Sequence, residues 1–169
     1  EQRVHPCMIP EKSPIAHVDG VFNAVYVEGD FVGPSFFQGF GAGSGPTASA
    51  VVGDLIDIAR EINVPSFGYL SSHLSSNSYK LDDKRKGTWY IRLSVVERPG
   101  VLADIAAKLR DHSISIESVL QKTRVPGQPV TVIMTTYEAE EGNFYSALNS
   151  IKQLDYLTEA PCSIRIENL

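Results

Sequence analysis

The chain has 169 residues, of which 43% are hydrophobic and 21% charged, and its formal net charge is -5. This length allows one or two domains, and the composition is that of an ordinary soluble globular protein. The negative balance argues against a nucleic-acid binder, which needs a concentrated basic surface. No apolar run approaches the roughly 18 residues of a membrane span, and no signal peptide is visible. We therefore expect a cytoplasmic protein that binds neither membrane nor nucleic acid.

The cysteines and histidines show no pattern of a metal site or of nucleophilic catalysis. Cys7 and Cys162 form no CxxC pair, and the four histidines have neither zinc spacing nor an identifiable Ser or Cys partner. We predict two free thiols, buried or half-buried, with no metal ligands and no catalytic residue. Asp54 and Asp57 lie three apart on a predicted helix, where a solvated polar face is a better interpretation than a carboxylate pair.

The sequence divides into three zones of different character. Residues 1–70 contain a glycine-rich stretch, residues 71–87 are polar, serine-rich and charged, and residues 88–169 show regular strand and helix patterns. The middle zone has the composition of a linker, and its basic run Lys84-Arg85-Lys86 is interpreted as solvated. Because the chain starts at Glu1 and is already strand-like from Arg3, we expect a piece of a longer protein.

The first zone predicts a hairpin followed by a helix. Residues 21–28 have a strand pattern, and residues 31–38 can return as the hairpin partner after a turn. Apolar residues then keep helical spacing from residue 48 to about residue 61. Gly45 can cap this helix, and Pro46 can occupy its first position.

The third zone predicts the order β-α-β-β-α-β. Alternating apolar residues mark four strands, and helical spacing marks two helices; the strands lie near residues 89–95, 114–120, 130–134 and 163–167, and the helices near residues 101–111 and 144–151. A turn is predicted at residues 125–128. Pro99 is expected at the first position of the first of these helices. This order is the ferredoxin-like arrangement, one sheet with both helices on a single face.

Two glycine segments are candidate binding sites. In residues 39–45, glycines let the backbone pass close to a ligand, and the helix start beyond them suits an anion or a phosphate. The spacing departs from G-x-G-x-x-G, so a tight turn remains the alternative. In residues 97–102, a glycine at a helix start beside a sheet edge lets a small amino acid bind main-chain N–H groups. The alternative there is a plain strand-to-helix turn.

These residues resemble two known families. The run Gly41-Ala42-Gly43-Ser44-Gly45-Pro46-Thr47-Ala48-Ser49-Ala50-Val51-Val52-Gly53-Asp54 resembles the signature near the end of the homoserine dehydrogenase catalytic region. Upstream, Val4-His5-Pro6, the run from Val18 to Ala24 and Glu28-Gly29-Asp30 agree in order. Phe40 departs from the pattern, since the family often has proline or alanine there. Arg98-Pro99-Gly100-Val101-Leu102 and residues 114–119 resemble an ACT domain.

The resemblance implies an α+β protein: an incomplete α/β catalytic-region segment, then a linker, then a ferredoxin-like βαββαβ ACT regulatory domain. The family interconverts L-aspartate 4-semialdehyde and L-homoserine with NADPH or NADH. The resemblance therefore implies that Gly41, Ala42 and Gly43 contact the cofactor, NADP or NAD. The Rossmann fingerprint and the segments with the catalytic lysine are absent from these residues, and Lys12 does not lie in that lysine's context. The chain alone is therefore expected to be inactive.

The ACT resemblance implies feedback control by an amino acid, for which threonine is the natural candidate, and homo-oligomers formed through ACT domains. The effector residues expected from it are Gly100, Val101, Leu102, Ile114 and Ile116. One alternative is a stand-alone ACT-type binding protein with an unrelated N-terminal extension. Another is a structural partner without a ligand, which leaves both glycine segments unexplained.

Overall fold

The computed structural model describes residues 2–62, 65, 68–75, 84–96, 98–121 and 129–168. The chain forms two compact units, one made of Glu1–Pro10 with Leu81–Leu169 and the other of Glu11–Lys80. We call them the sheet unit and the hairpin unit. The first ten residues thus lie with the C-terminal part of the chain, whereas the sequence grouped them with residues 11–70. The strands are β1 (Cys7–Met8), β2 (Phe22–Gly29), β3 (Gly33–Phe40), β4 (Lys86–Val95), β5 (Ile116–Gln121), β6 (Val130–Thr136), β7 (Ala139–Glu140) and β8 (Cys162–Ile166), and the helices are α1 (Ser44–Ala59), α2 (Val101–Asp111) and α3 (Glu141–Lys152).

The hairpin unit contains β2, β3 and α1. The strands pair antiparallel from Phe22 opposite Phe40 to Gly29 opposite Gly33, which confirms the predicted hairpin with its second strand two residues later. No residue of α1 is buried, and large apolar side chains are exposed along both strands and the helix. This unit therefore presents much apolar surface in its described part.

The sheet unit has the strand order β1-β8-β4-β6-β5, with β7 paired to the start of β4. The apolar residues of β4 and β6 that face one side of the sheet are buried with α2 and α3, which pack against each other. The core residues are Trp89, Ile91, Leu93, Val95, Val101, Ile105, Leu109, Ile114, Val130, Val132, Met134, Ala139, Phe144, Ala147, Leu148, Ile151 and Tyr156. The predicted ferredoxin-like order is confirmed, while the parallel pairing of β1 with β8 is an addition that the sequence did not indicate.

Both glycine-preceded helices begin differently from the prediction. Gly43, with φ +125°, caps α1, so the predicted cap at Gly45 was wrong by two residues and Pro46 occupies the third helical position. Gly100, with φ +96°, caps α2, and Pro99 precedes the cap instead of opening the helix. In both cases the glycine adopts a backbone conformation that L side chains rarely enter, so its place before the helix has a steric reason.

Part of the predicted linker belongs to the described structure. Strand β4 begins at Lys86, and the Nε atom of Arg85 lies 3.8 Å from a Glu141 carboxylate oxygen. The basic run is therefore not simply solvated, because Arg85 is only 27% exposed. Residues 76–83 and the predicted turn at residues 125–128 lie outside the described residues.

The structure also bears on the predicted burial of the two thiols and on the expected absence of a membrane span. Both cysteines are free as predicted, but Cys7 is exposed and only Cys162 is half-buried. Among the residues that the structure describes, no helix has the length and apolarity to cross a membrane.

Candidate functional site

The glycine-rich loop before α1 is held by the hairpin. The Gly41 N–H donates to the Val21 carbonyl at 2.8 Å, which continues the hairpin pairing into the loop. A Cβ at Gly41 would lie 2.3 Å from the Nδ2 atom of Asn23, so a side chain there would displace Asn23. Glycine at this position therefore allows the loop to pass close to the neighbouring strand.

Gly43 turns the loop into the helix. Its carbonyl accepts the Thr47 N–H at 3.1 Å, and no side chain caps the helix start. The first N–H groups of a helix have no partner within the helix, so this end can donate to an anion. The predicted cofactor residues Gly41, Ala42 and Gly43 thus lie together in one exposed loop.

Substituting Gly43 should strain this loop. Gly43→Ala places a Cβ on a backbone with φ +125°, and such conformations cost about 1–3 kcal/mol. We expect faster hydrogen exchange at the Thr47 amide in this variant. Gly45→Ala is the matched control, because Gly45 lies inside α1 with open space around it, and alanine there should stabilise the helix by roughly 0.5–1 kcal/mol. Equal protection of Thr47 in both variants would contradict the assignment of Gly43 as the cap.

A second candidate site lies where β4 leads into α2. A pocket of about 530 Å³ is lined there by Val95, Arg98, Pro99, Gly100, Val101, Leu102, Ala103, Gln121 and Val132. Three of the five predicted effector residues, Gly100, Val101 and Leu102, line it. The pocket combines apolar walls with the N-terminal end of α2, which suits a small ligand carrying a carboxylate.

Arg98 is the cationic group of this pocket. Its guanidinium donates to both carboxylate oxygens of Asp155, at 2.6 and 3.4 Å, and lies 4.7 Å from the ring centre of Tyr156. Tyr156 is buried, and burial raises the pKa of its hydroxyl above its ordinary value of 10.0. Its hydroxyl donates to the Val101 carbonyl at 3.5 Å. These contacts hold Arg98 at the rim of the pocket.

The two remaining effector candidates do not line the pocket. Ile114 is 4% exposed and belongs to the core, and Ile116 packs against that core at the start of β5. Because β5 runs antiparallel to β6, with Ile116 opposite Thr136, its start lies at the far end of the sheet. Gln121, at the end of β5 opposite Val132, lines the pocket instead. Neither Gln121 nor Asp155 belongs to a motif that could have identified it from the sequence.

A cluster of charged side chains lies at the start of α3. Glu141 accepts two hydrogen bonds from Arg3, at 3.1 and 2.6 Å, and its Oε2 atom lies 3.8 Å from Arg85 and 3.9 Å from Arg165. The Arg3 hydrogen bonds lower the pKa of Glu141 below its ordinary value of 4.5, against the opposing effect of burial, and the charges of all three arginines lower it further. The Nη1 atom of Arg165 is buried without a hydrogen-bond partner.

Comparisons with protein families divide the chain as the two candidate sites do. Residues 1–56 match the model of the homoserine dehydrogenase family, and residues 89–156 match that of the ACT domain. The chain is 37% identical over 175 aligned residues to the homoserine dehydrogenase of Neisseria gonorrhoeae, covering all of this chain and 40% of that protein. It is 36% identical to the homoserine dehydrogenase of Pseudomonas aeruginosa, covering all of this chain and 41% of that protein. The chain thus spans about two fifths of the length of these relatives.

A solved structure agrees with these matches. The crystal structure of a homoserine dehydrogenase from Thiobacillus denitrificans aligns with a TM-score of 0.84 at 41% identity, over 98% of this chain and 38% of that one. The glycine loop before α1 lies within the first family match, and the pocket at Gly100 lies within the second. The chain therefore joins a segment of the homoserine dehydrogenase family to an ACT domain, as the C-terminal part of a homoserine dehydrogenase does.

Proposed function

We propose that this chain is the C-terminal part of an NAD(P)H-dependent homoserine dehydrogenase, an enzyme that interconverts L-aspartate 4-semialdehyde and L-homoserine on the route to threonine, methionine and isoleucine. The observation that carries the proposal is the order of the two family matches along one chain, 1–56 and then 89–156. Relatives named homoserine dehydrogenase align with all of the chain, so a stand-alone ACT protein with an unrelated extension is disfavoured.

The hairpin unit contributes one wall of the cofactor site in this proposal. Glycines at positions 41 and 43 leave the exposed loop without Cβ atoms, which fits the close approach of a dinucleotide. A bound nicotinamide cofactor would supply hydride chemistry, and Gly41, Ala42 and Gly43 would contribute backbone and shape to the site that holds it. The apolar surface of α1 and the hairpin also fits burial against further parts of a larger protein.

Catalysis should need residues beyond these 169. In the family, a lysine in another segment assists proton transfer at the substrate oxygen, so we expect the chain alone to give no NADPH oxidation with L-aspartate 4-semialdehyde. The complete gene product should give turnover under the same conditions. Absorbance at the nicotinamide band measures both. Turnover by the chain alone would overturn our placement of the active site, and an inactive, folded gene product would overturn the proposed reaction.

The sheet unit supplies amino-acid control in this proposal, with threonine as the effector. A pocket of about 530 Å³ has room for one amino acid, with Arg98 and the start of α2 placed for its carboxylate. Strand β5 lies at the edge of the described sheet, with no strand paired on its outer side there, which favours pairing with the ACT domain of a second copy. The proposed assembly is thus a homo-oligomer joined at least partly through its ACT domains.

Threonine should stabilise the chain against heat. A ligand at roughly 100 times its Kd stabilises the folded state by about 2.7 kcal/mol, so we expect a clear rise in Tm at millimolar threonine. Arg98→Gln should reduce that rise, because it removes the cation at the rim of the pocket. Glycine, which lacks a side chain for the apolar walls, is the control ligand. The effector assignment fails if calorimetry finds neither heat nor a thermal shift with threonine.

A further inference from the structure

Glu141 is one of the anchors of the first ten residues on the sheet unit. Strand β1 pairs with β8 through only two residue pairs, Cys7 with Arg165 and Met8 with Ile166. The bond from Arg3 to Glu141, in contrast, is bidentate, with side chains only 20% and 13% exposed. Charge-assisted bidentate hydrogen bonds are about twice as strong as neutral ones. The Arg3–Glu141 bond therefore helps to fix residues 3–8 on the sheet unit, together with the short strand pairing.

The sheet unit holds the chain on both sides of the hairpin unit. Strand β1 ends three residues before the hairpin unit begins at Glu11, and β4 starts six residues after that unit ends at Lys80. In the proposed function, the hairpin unit carries the cofactor loop. Strand β1 is thus close along the backbone to the unit that contains this loop.

Packed side chains join the pocket at Gly100 to Glu141. Strand β4 runs from the pocket residue Val95 back to Trp89, whose ring stacks on Phe144 with centroids 4.2 Å apart. Phe144 is 1% exposed and lies one turn after Glu141 in α3. In parallel, α2 begins at the pocket and packs against α3. Close-packed interiors transmit small displacements instead of absorbing them.

We propose that Glu141 is a positioning residue that couples the amino-acid site at Gly100 to the catalytic region through Arg3. An effector in the pocket changes the fit of β4 and α2, and α3 carries that change to the Arg3–Glu141 bond. The bond in turn sets the position of the residues that lead into the hairpin unit. This inference rests on the proposed function, because it requires an effector and a reaction for the effector to control.

The test compares three forms of the complete gene product: the unaltered protein, Glu141→Gln and Glu138→Gln. Glu138 is the matched control, because it is an acidic residue three positions before Glu141. Its side chain is 65% exposed, and its ion pair with the exposed Lys86 is long, at 3.9 Å. Without threonine, Glu138→Gln should have the kcat and KM of the unaltered protein, and the inhibition of each form is measured relative to its own activity without threonine. Effector coupling in proteins is commonly about 5- to 150-fold. We expect the extent of threonine inhibition in Glu141→Gln to be at least fivefold smaller than in the unaltered protein. Calorimetry should show that the variant binds threonine with an unchanged Kd.

Arg3 variants separate coupling from loss of folding. Arg3→Gln should reproduce the loss of inhibition, and the double variant should lose no more than either single one. Arg3→Lys keeps the charge without the bidentate geometry, so its inhibition by threonine should lie between that of the unaltered protein and that of Arg3→Gln. Circular dichroism shows whether each variant is folded. Full inhibition of a folded Glu141→Gln or Arg3→Gln protein overturns the inference and leaves the proposed function intact. If threonine neither binds nor inhibits the unaltered protein, the effector assignment and the inference both fall.

Discussion

Leu93→Ala should strongly destabilise the sheet unit. Leu93 lies in the central strand β4 with 0% exposure, between β6 and β8 and under both helices. Removing a buried leucine side chain costs about 2–5 kcal/mol, because transfer free energy is lost and a cavity remains. Small domains have only about 5–15 kcal/mol of net stability. The chain has one tryptophan, Trp89, in the same core, so its fluorescence in a urea titration measures the loss.

Leu120→Ala is the matched control for this prediction. Leu120 is 59% exposed on the edge strand β5, so the same change removes few packed contacts. We expect a loss within about 0.5 kcal/mol, as for ordinary surface substitutions. Equal losses for the two leucines would mean that β4 is not the centre of the core.

Glu141→Gln should lower the stability of the sheet unit by about 1.5–3 kcal/mol at neutral pH, the usual contribution of hydrogen bonds to charged groups. The unfolding free energy of this variant should also change less with pH in the acidic range than that of the unaltered chain. The pKa of Glu141 is lower in the folded protein than its ordinary 4.5, so its contribution is fully present above pH 4.5. The contribution is then lost as the pH falls through the folded-state pKa. Urea titrations at neutral pH and below pH 4.5 measure both effects.

Glu138→Gln again provides the comparison, because the ion pair of Glu138 with Lys86 is exposed on both sides and such pairs contribute about 0–1 kcal/mol. The unfolding free energy of Glu141→Gln should approach that of the unaltered chain at low pH. A constant difference across the whole pH range would show that Glu141 acts through packing instead of charge.

The core of the sheet unit could be predicted because burial follows local periodicity. Trp89, Ile91, Leu93 and Val95 alternate along β4, and Ile105 and Leu109 keep helical spacing along α2. Each element here buries one face, so the pattern of side chains reports the fold directly. The hairpin at β2 and β3 was predictable for its position but not for its burial, since its apolar side chains remain exposed in this chain.

Features that depend on distant residues could not be predicted. Glu141 opens a helix and looks like an ordinary acidic residue near a helix dipole, whereas its main partner, Arg3, is 138 residues away. The same holds for Gln121, which reaches the pocket only because of the register between β5 and β6. Gly100, Val101 and Leu102 line one pocket because they are consecutive at one turn, and their role in effector binding stays a prediction. Ile114 and Ile116 lie away from that pocket, because the register between β5 and β6 puts the start of β5 at the other end of the sheet.

The pairing of β1 with β8 also constrains the order of events during synthesis. Arg3 leaves the ribosome 138 residues before Glu141, and β8 follows later still. The first strand must therefore wait for nearly all of the sheet unit before it can dock, and closing so long a loop carries a large entropic cost. Attachment of the segment before the hairpin unit is thus expected to be the final step of maturation. A nascent chain that stalls before Cys162 would have both helices and Glu141 but would leave β1 without its partner strand.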